Sequence, residues 1–426
     1  MYHDFIAALN KKYNCSDRSE LSGIDLQHYQ FGASTNSRGQ DAIGVFEAYG
    51  FSMTGLKILD VGCAYGGFSI EAARKGACCY GVEISNALYE LAVLNNKGEA
   101  YDGGSCDFVR TDATSPEFLE KLPHDYFDLI IVNDVFEHVY DTVQLLSNLE
   151  KVANEKCVIY FVIPNGSDFR FAAREGHTGC CGISLLAPLL WQTLIPGRES
   201  YERSIYYRQY EYYRALFEYF GFGKIALINY PGYAGWEETK KDICAGLETV
   251  KQKIHENEKD FPAVYAQKLY AALEGFEKQI VYDLEHLEAS ELAWKYMTNF
   301  WGGFAQRQER VLKPLVKVCE RTSKSDSDEY GISFALCRKG NILEIDIADV
   351  SSDEELDFAF QLMRRGEIIE RSRYQRERHY EWELKAPGMY WVAIYVKKSD
   401  REHKAYRILT QPLYMPGDRE QDYGSK

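Results

Sequence analysis

The residues best suited to chemistry are two acids that each end an apolar, strand-like run. Asp60 ends ILD and precedes the glycine-rich stretch GCAYGG at residues 62–67, and Glu83 ends YGVE. The backbone N–H groups of such a glycine turn can approach a ligand closely. A carboxylate beside the turn repels a pyrophosphate at close range and attracts an ammonium or a sulfonium. The pattern therefore predicts a ligand that is positively charged at this end.

S-adenosylmethionine is a ligand of this kind, because it combines an ammonium, a methyl sulfonium and an adenosine without phosphate. Its ribose diol needs an acceptor for two O–H groups, and Glu83 at the end of the second run would supply it. Either acid alone is also compatible with a solvated loop residue. The glycine turn and both acids, in this order, favour a site for S-adenosylmethionine.

A sheet must position these residues. From Lys57 onward, short β-branched runs alternate with amphipathic segments, which indicates a parallel sheet covered by helices on both faces. Ligands of such sheets bind at the carboxyl ends of the strands. The predicted strands are KILDVG, CCYGVEI, CDFVRTDA, FDLIIVND and CVIYFVI, and the predicted helices cover residues 68–75, 86–95 and 137–153.

The turn, the two acids and the segment EHV at residues 137–139 resemble the class I S-adenosylmethionine-dependent methyltransferases, over roughly residues 40–230. The resemblance implies a Rossmann-like α/β fold, with S-adenosylmethionine as cofactor and S-adenosylhomocysteine as product. It also implies that Asp60, Gly62 and Gly66 hold the methionine end and that Glu83 binds the ribose. Ala64 departs from the family pattern, which usually has glycine there. Further cofactor contacts are implied for Cys63, Ala64, Ile84, Asp112, Ala113 and Asn133.

Candidates for a catalytic base follow the fourth and fifth predicted strands. Methyl transfer from a sulfonium is an in-line displacement, so the protein mainly positions the reactants and excludes water. A hydroxyl acceptor also benefits from a base that titrates near neutral pH, which makes histidine the preferred type. The resemblance favours His138 as this base, with Glu137 beside it, and leaves His177 and Asp134 as further candidates.

Each histidine also has a plain structural interpretation. His138 could merely cap the following helix, and His177 could be an ordinary loop histidine. A metal site is not predicted, because His177 with Cys180 or Cys181 offers too few ligands.

The segment from residue 177 to residue 214 is the predicted acceptor region. Its tyrosines suit the C–H faces of sugars and its arginines suit phosphates or carboxylates. The alternative is a helix whose tyrosines pack on the sheet. The apolar stretch ISLLAPLLWQTLI is too short to span a bilayer, but could lie in a membrane interface and serve a lipid-linked acceptor, or pack in the core.

The predicted function is O-methylation of a sugar or polysaccharide-related acceptor. The motifs EGHTG and GISLLAP are similar to methyltransferases encoded with bacterial surface-polysaccharide genes, and the C-terminal region is similar to small β-domains appended to such enzymes. The alternatives are a methyltransferase for a small metabolite or a protein side chain, and a non-catalytic binding or scaffold protein on the same fold.

Three regions are predicted along the chain. Residues 1–234 form the cofactor-binding domain with a helical lead-in, and residues 235–322 form a helical extension that pairs two chains or folds onto its own domain. Residues 330–415 alternate apolar and polar positions, with Gly366 marking a hairpin, which predicts a small antiparallel sandwich for recognition or assembly.

Charge and composition narrow the partners. A formal net charge of −15 without a dense basic block argues against nucleic acid as a partner. No apolar run approaches the ~20 residues of a membrane span, and the N-terminus lacks the features of a secretory signal. These features predict a cytoplasmic protein, free or peripheral to the inner membrane face, that acts on a small-molecule or glycan acceptor.

Overall fold

The computed structural model describes residues 2–188, 190–191, 205–228, 236–258, 263–307, 319–322, 332–339, 341–350, 355–364, 367–385, 388–398, 406–409 and 413–415. The chain divides into two compact units, one of residues 1–40 and 52–311 and the other of residues 41–51 and 312–426. The three-part division expected from the sequence stays a prediction. No helix among the described residues has both the length and the apolar composition needed to cross a membrane.

A seven-stranded sheet, counted over the described residues, organises the first unit in the order β3-β2-β1-β4-β5-β7-β6. Strands β1 to β5 run parallel, whereas β7 is antiparallel to both of its neighbours. The central strands are almost fully buried, which explains why they appear in the sequence as continuous apolar runs. The strands are β1 (Lys57–Val61), β2 (Cys78–Glu83), β3 (Ser105–Arg110), β4 (Phe127–Asn133), β5 (Ala153–Pro164), β6 (Lys224–Leu227) and β7 (Phe300–Gln306).

Helices pack around this sheet, and local caps define where several of them begin. The side chain of Ser85 accepts a hydrogen bond from the N–H of Leu88 and so caps α5. A reciprocal pair of Glu288 and Glu291 side chains caps α12. The helices are α1 (Tyr2–Lys12), α2 (Gly23–Ala33), α3 (Thr35–Ala48), α4 (Gly67–Arg74), α5 (Asn86–Asn96), α6 (Pro116–Lys121), α7 (Thr142–Val152), α8 (Phe169–Ala173), α9 (Tyr210–Tyr219), α10 (Trp236–Glu256), α11 (Ala263–His286) and α12 (Ala289–Tyr296).

The helix expected over residues 137–153 is wrong in its first part. Phe136–His138 form a short 3-10 turn, and α7 begins only at Thr142. The carboxylate of Asp141 caps α7 by accepting a hydrogen bond of 2.8 Å from the N–H of Gln144. Glu137 therefore lies in the loop between β4 and α7, where ligands of parallel sheets bind.

Residues 235–322 were expected to be helical, but this segment also contains strand β7. Helix α10 packs on α8, and its apolar stripe, with Ile243 and Val250, is buried together with Leu269 of α11. The chain then returns to the sheet as β7, between β5 and β6. Gly303 permits this insertion, because a Cβ there would come within 2.7 Å of the carbonyl oxygen of Ala226.

The second unit contains two antiparallel sheets, which agrees with the predicted β-sandwich. One has the order β13-β10-β9-β8, and the other has the order β12-β11-β14-β15 with β16 also on β14. Apolar side chains of both sheets share one core. The expected hairpin residue Gly366 lies outside the described residues. The strands are β8 (Cys319–Thr322), β9 (Ile332–Lys339), β10 (Ile342–Val350), β11 (Leu356–Arg364), β12 (Glu367–Arg371), β13 (His379–Glu383), β14 (Gly388–Lys398), β15 (Tyr406–Leu409) and β16 (Leu413–Met415).

Candidate active site

The glycine turn follows β1 directly and adopts a left-handed backbone that few residues accept. Gly62 and Gly66 have φ values of 67° and 78°. A Cβ on Gly62 would lie 2.7 Å from Val135, and one on Gly66 would lie 2.5 Å from the ring of Phe108. Ala64, which departs from the family's glycine, also has a positive φ of 48°. The turn thus keeps its shape at this position with a strained alanine.

Asp60 lies at the end of β1 and is buried, with 4% of its surface exposed. Its carboxylate accepts a hydrogen bond of 2.9 Å from the hydroxyl of Ser69 on α4. Burial raises the pKa of Asp60 to about 7 against the opposing effect of Ser69, and the charge of Glu83 raises it further. A cation bound next to Asp60 would favour the ionised carboxylate.

Glu83 ends β2, and its side chain forms a hydrogen bond with the glycine turn. Its Oε2 accepts a hydrogen bond of 3.0 Å from the N–H of Ala64, and its Oε1 accepts one of 2.8 Å from the N–H of Ser85. The carboxylate is therefore held in place by the backbone on both sides. The next residue, Ile84, is 61% exposed although it is apolar, and Cys63 in the turn is buried.

The remaining candidate cofactor residues follow β3 and β4. The carboxylate of Asp112 accepts two hydrogen bonds of 2.8 Å from Thr114, one from the backbone N–H and one from the hydroxyl. The carbonyl of Ala113 is fixed by an amide hydrogen bond of 2.9 Å from Asn148. Asn133 ends β4 and donates a hydrogen bond of 2.9 Å to Asp134. These residues lie at the carboxyl edge of the sheet, as do Asp60 and Glu83.

The candidate catalytic residues Glu137, His138 and His177 form one cluster. The Nε2 atom of His138 lies 3.6 Å from Oε1 of Glu137, and the Nε2 atom of His177 lies 3.7 Å from the same oxygen. The two imidazole rings are nearly perpendicular, with centroids 4.9 Å apart. Glu137 is fully buried, and neither of its oxygens has a hydrogen-bond partner among the described residues.

Behind this cluster, Glu175 fixes the ring of His177. Its Oε1 lies 2.7 Å from Nδ1 of His177 and accepts a hydrogen bond of 2.5 Å from the hydroxyl of Tyr207. Its Oε2 accepts hydrogen bonds from the backbone N–H of His177 and from the N–H and hydroxyl of Thr178. Burial alone would raise the pKa of Glu175, but the contacts with His177 and Tyr207 outweigh it and lower the pKa to about 2.

The two histidines therefore differ in their capacity to accept a proton. Burial opposes the charged form of His177, but the adjacent carboxylates of Glu137 and Glu175 outweigh it and raise its pKa to about 10. His177 is protonated at neutral pH when nothing else is bound, which makes it a poor base. His138 lies beside Glu137 in the loop after β4, and it remains the candidate base that the family resemblance favoured.

The sequence did not show the roles of three residues in this site, namely Arg38, Glu175 and Tyr207. Arg38 belongs to α3, whose neighbouring residue Gly39 packs against the carbonyl of Gly67 at the start of α4. Its charge lowers the pKa of both Asp60 and Asp134, against the larger upward effect of burial. Glu175 opens the motif EGHTG and Tyr207 lies in the predicted acceptor segment, but neither was assigned this role, and Arg38 lies outside the motifs recognised in the sequence.

Part of the tyrosine-rich acceptor segment packs in the core, as the alternative interpretation expected. Tyr213 is buried against the sheet, and the hydroxyl of Tyr207 donates a hydrogen bond to Glu175. Arg208 donates a hydrogen bond of 2.7 Å to the carbonyl of Tyr140, so it stabilises the loop that carries Glu137. Trp191 is buried as well, and residues 192–204 of the segment lie outside the described residues.

A comparison with protein families identifies the domain that contains most of these residues. The model of the methyltransferase domain family matches residues 30–227. Residues 30–227 are a methyltransferase domain. This match confirms the resemblance to class I S-adenosylmethionine-dependent methyltransferases and, with it, S-adenosylmethionine as the cofactor of this domain.

Curated relatives match the domain at low identity. The ubiquinone biosynthesis O-methyltransferase of Hahella chejuensis is 29% identical over 123 residues, which are 28% of this chain and 49% of the relative. The enzyme of the same name from Saccharophagus degradans is 33% identical over 106 residues, which are 25% of this chain and 42% of the relative. The chain therefore spans about half the length of the curated relatives it matches, or less.

Solved structures of methyltransferases also resemble the chain. A SAM-dependent methyltransferase from Archaeoglobus fulgidus is 16% identical, with 66% of this chain and 98% of that chain covered and a TM-score of 0.37. Phosphoethanolamine N-methyltransferase 2 of Haemonchus contortus is 17% identical, with 63% and 52% covered and a TM-score of 0.34. At these values neither structure bears on the reaction of this chain.

Proposed function

We propose that the whole protein is an S-adenosylmethionine-dependent O-methyltransferase whose acceptor hydroxyl is activated beside Glu137. The observation that carries this proposal is the Glu137 cluster, in which a buried carboxylate and the imidazole of His138 in the β4–α7 loop lie beside the imidazole of His177 from the loop after α8. Acceptors such as amines need no strong base, whereas hydroxyls benefit from one. The cluster therefore favours oxygen as the methylated atom.

The cofactor part of the proposal assigns each end of S-adenosylmethionine to residues at the sheet edge. Asp60 would bind the ammonium of the cofactor, and Arg38 would bind the carboxylate of its amino-acid group. Glu83, held by two backbone N–H groups, would accept hydrogen bonds from the ribose hydroxyls. The adenine ring would cover the exposed side chain of Ile84, which explains why an isoleucine is 61% exposed there, and Asp112 would face the adenine amino group.

In the acceptor part of the proposal, His138 takes the hydroxyl proton as the O–CH₃ bond forms and the S–CH₃ bond breaks. The electron pair of the broken bond stays on sulfur, which gives S-adenosylhomocysteine. His177 is too basic to act in this way and would help to orient Glu137. Tyr140 and Tyr206 form an edge-to-face pair with centroids 5.4 Å apart in the same loop region, which would suit a ring-shaped acceptor.

The acceptor class remains the one predicted from the sequence, a sugar or polysaccharide-related molecule. A second candidate is an aromatic hydroxyl, which is favoured by the curated relatives named ubiquinone biosynthesis O-methyltransferases. The two acceptors differ in acidity, because a phenol ionises much more readily than a sugar hydroxyl. The cytoplasmic location and a homodimer through the helical extension remain predictions.

A binding assay first tests the cofactor, and a transfer assay then tests the acceptor. Thermal unfolding with S-adenosylmethionine, S-adenosylhomocysteine or NAD at about a hundred times the dissociation constant should show a stabilisation of about 2.7 kcal/mol for the first two only. Transfer of a labelled methyl group is then measured to nucleotide sugars and to catechols. His138→Ala should abolish most of the transfer with cofactor affinity retained, whereas the exposed His124→Ala serves as the control. Failure to bind S-adenosylmethionine would favour a scaffold role.

A further inference from the structure

We propose that Glu137, His138 and His177 hold a divalent first-row transition-metal cation at the point where the acceptor hydroxyl binds. One carboxylate oxygen and two imidazole nitrogens of these residues lie within 4.8 Å of one another. Binding of the cation rests on this geometry and on the burial of Glu137, independently of the proposed function. Its role in activating a hydroxyl rests on the proposed function.

The separations of the ligand atoms suit a bound metal better than direct hydrogen bonds. At 3.6 Å and 3.7 Å, the two histidine Nε2 atoms are too far from Oε1 of Glu137 for good hydrogen bonds. Two ligands about 2.1 Å from a tetrahedral ion lie roughly 3.4 Å apart, so a small inward movement of the side chains would complete the site.

The burial of Glu137 is the second, independent observation. Its side chain is fully buried, yet neither oxygen has a hydrogen-bond partner among the described residues. A buried carboxylate without hydrogen bonds is stabilised by coordination to a cation. Oδ1 of Asp134, which follows β4 directly, is likewise buried and without a hydrogen-bond partner in the part of the chain described. A cation would satisfy Glu137 directly and lie close to this second carboxylate.

Glu175 provides the support that metal-binding histidines usually have. Its Oε1 is 2.7 Å from Nδ1 of His177, which leaves Nε2 directed toward Glu137. Tyr207 and Thr178 hold the Glu175 carboxylate in turn. A carboxylate on the far nitrogen of a ligating histidine fixes the orientation of the ring and raises its basicity. The arrangement of Glu175, His177 and Glu137 fits this pattern.

The chemical nature of the ligands selects the ion. Two imidazoles and one carboxylate suit Zn²⁺, Fe²⁺ or Mn²⁺, whereas Mg²⁺ prefers oxygen ligands and retains its water. Three protein ligands leave a coordination position open for an oxygen of the acceptor. A hydroxyl on the cation loses its proton more readily, so the proton can leave to solvent before the methyl group is transferred. His138 would then be a ligand instead of the free base.

The direct test is metal binding to the full-length chain, prepared without a histidine tag and treated with chelator. Isothermal titration with Zn²⁺ and Mn²⁺ should show about one site per chain, with Mg²⁺ binding far more weakly. Glu137→Gln, His138→Ala and His177→Ala should each lower the affinity at least tenfold, and Glu175→Gln should lower it by about 10- to 100-fold. The exposed His124→Ala is the matched control and should bind like the wild type.

Two further measurements keep the outcomes distinct. Unfolding curves and S-adenosylmethionine titration of each variant identify those that retain the fold, and Co²⁺ should give a visible absorption band in the wild type that the three ligand variants lose. Absence of one-site binding, or equal binding by all three folded variants, would overturn the cation site and leave a proton on His177 as the charge beside Glu137. Methyl transfer that survives chelation would overturn the cation's role while the proposed function stands with His138 as base. Loss of cofactor binding to the wild type would instead defeat the proposed function alone.

Discussion

Oε1 of Glu175 lies 2.7 Å from Nδ1 of His177 in a buried contact. The other ring nitrogen of His177, Nε2, lies 3.7 Å from Oε1 of Glu137. Glu175 and His177 come from the loop that follows β5 and the short helix α8, whereas Glu137 comes from the loop after β4. Two neighbouring strands thus bring an acid and a supported imidazole to the same edge of the sheet. Glu175 stabilises these two loops, because its carboxylate accepts hydrogen bonds from three residues.

Removal of the Glu175 carboxylate should therefore destabilise the fold strongly. Glu175→Ala leaves a charged His177 and the Tyr207 hydroxyl buried without their acceptor, which should cost about 3–5 kcal/mol. Tyr207→Phe removes the hydroxyl that donates to the charged Glu175 and should cost about 1.5–3 kcal/mol. Denaturant unfolding of both variants measures these losses. Tyr140→Phe at a residue that is 78% exposed is the control, and equal stability of all three would refute the structural role of Glu175.

Binding of the cofactor should depend on pH through Asp60. Its pKa rises from an ordinary value of 3.8 to about 7 on folding, mainly through burial. The protonated form thus stabilises the free protein, with a contribution that is complete below 3.8 and lost as the pH rises toward 7. An ammonium binds the ionised form, so the affinity for S-adenosylhomocysteine should fall by up to about tenfold per pH unit below 7.

Titration calorimetry between pH 5.5 and 7.5 checks this dependence. Binding at pH 6 should release a proton, which calorimetry in two buffers of different ionisation enthalpy detects. Asp60→Asn should bind more weakly at pH 7.5 and should lose the pH dependence over this range. An unchanged slope in Asp60→Asn would assign the titration to another group.

The glycine turn should tolerate a change at residue 64 but not at residue 66. Gly66→Ala places a Cβ 2.5 Å from the ring of Phe108, at a left-handed φ of 78°. We expect loss of cofactor binding and destabilisation of more than about 1 kcal/mol. Ala64→Gly relieves a positive φ at the expense of a more flexible unfolded chain, so its stability should change by less than about 1 kcal/mol. Thermal unfolding and cofactor titration compare the two variants, and equal losses would contradict the assigned turn geometry.

Local patterns predicted the part of the fold that holds the cofactor. Strands β1 to β5 are apolar runs with clear boundaries, and the turn at Gly62 and Gly66 follows from residues that are adjacent in sequence. Strand β7 was missed because its two consecutive glycines weaken the strand signal, although Gly303 is needed where the neighbouring backbone approaches closely.

The cluster of Glu137, His138 and His177 could be predicted only in part. Glu137 and His138 lie in a short motif, but the contact between Glu175 and Tyr207 joins residues 32 positions apart and has no local signature. The start of α7 was misplaced because Asp141 was not recognised as its cap. The effect of Arg38 on Asp60 depends on the packing of α3 against α4, which composition and periodicity do not specify.

Arg38 should discriminate between ligands that carry the amino-acid group and those that lack it. Its guanidinium stacks on the ring of Phe31 at 3.5 Å from the centroid, and its charge reaches Asp60 and Asp134. In this position it would bind the carboxylate of the cofactor, an interaction worth about 1.5–3 kcal/mol. Arg38→Met should therefore weaken S-adenosylhomocysteine binding by roughly tenfold or more. It should leave the affinity for 5′-methylthioadenosine unchanged, because that molecule has no amino-acid group. The exposed Arg18→Met is the control for loss of a positive charge, and an equal loss for both ligands in Arg38→Met would indicate a general structural effect instead.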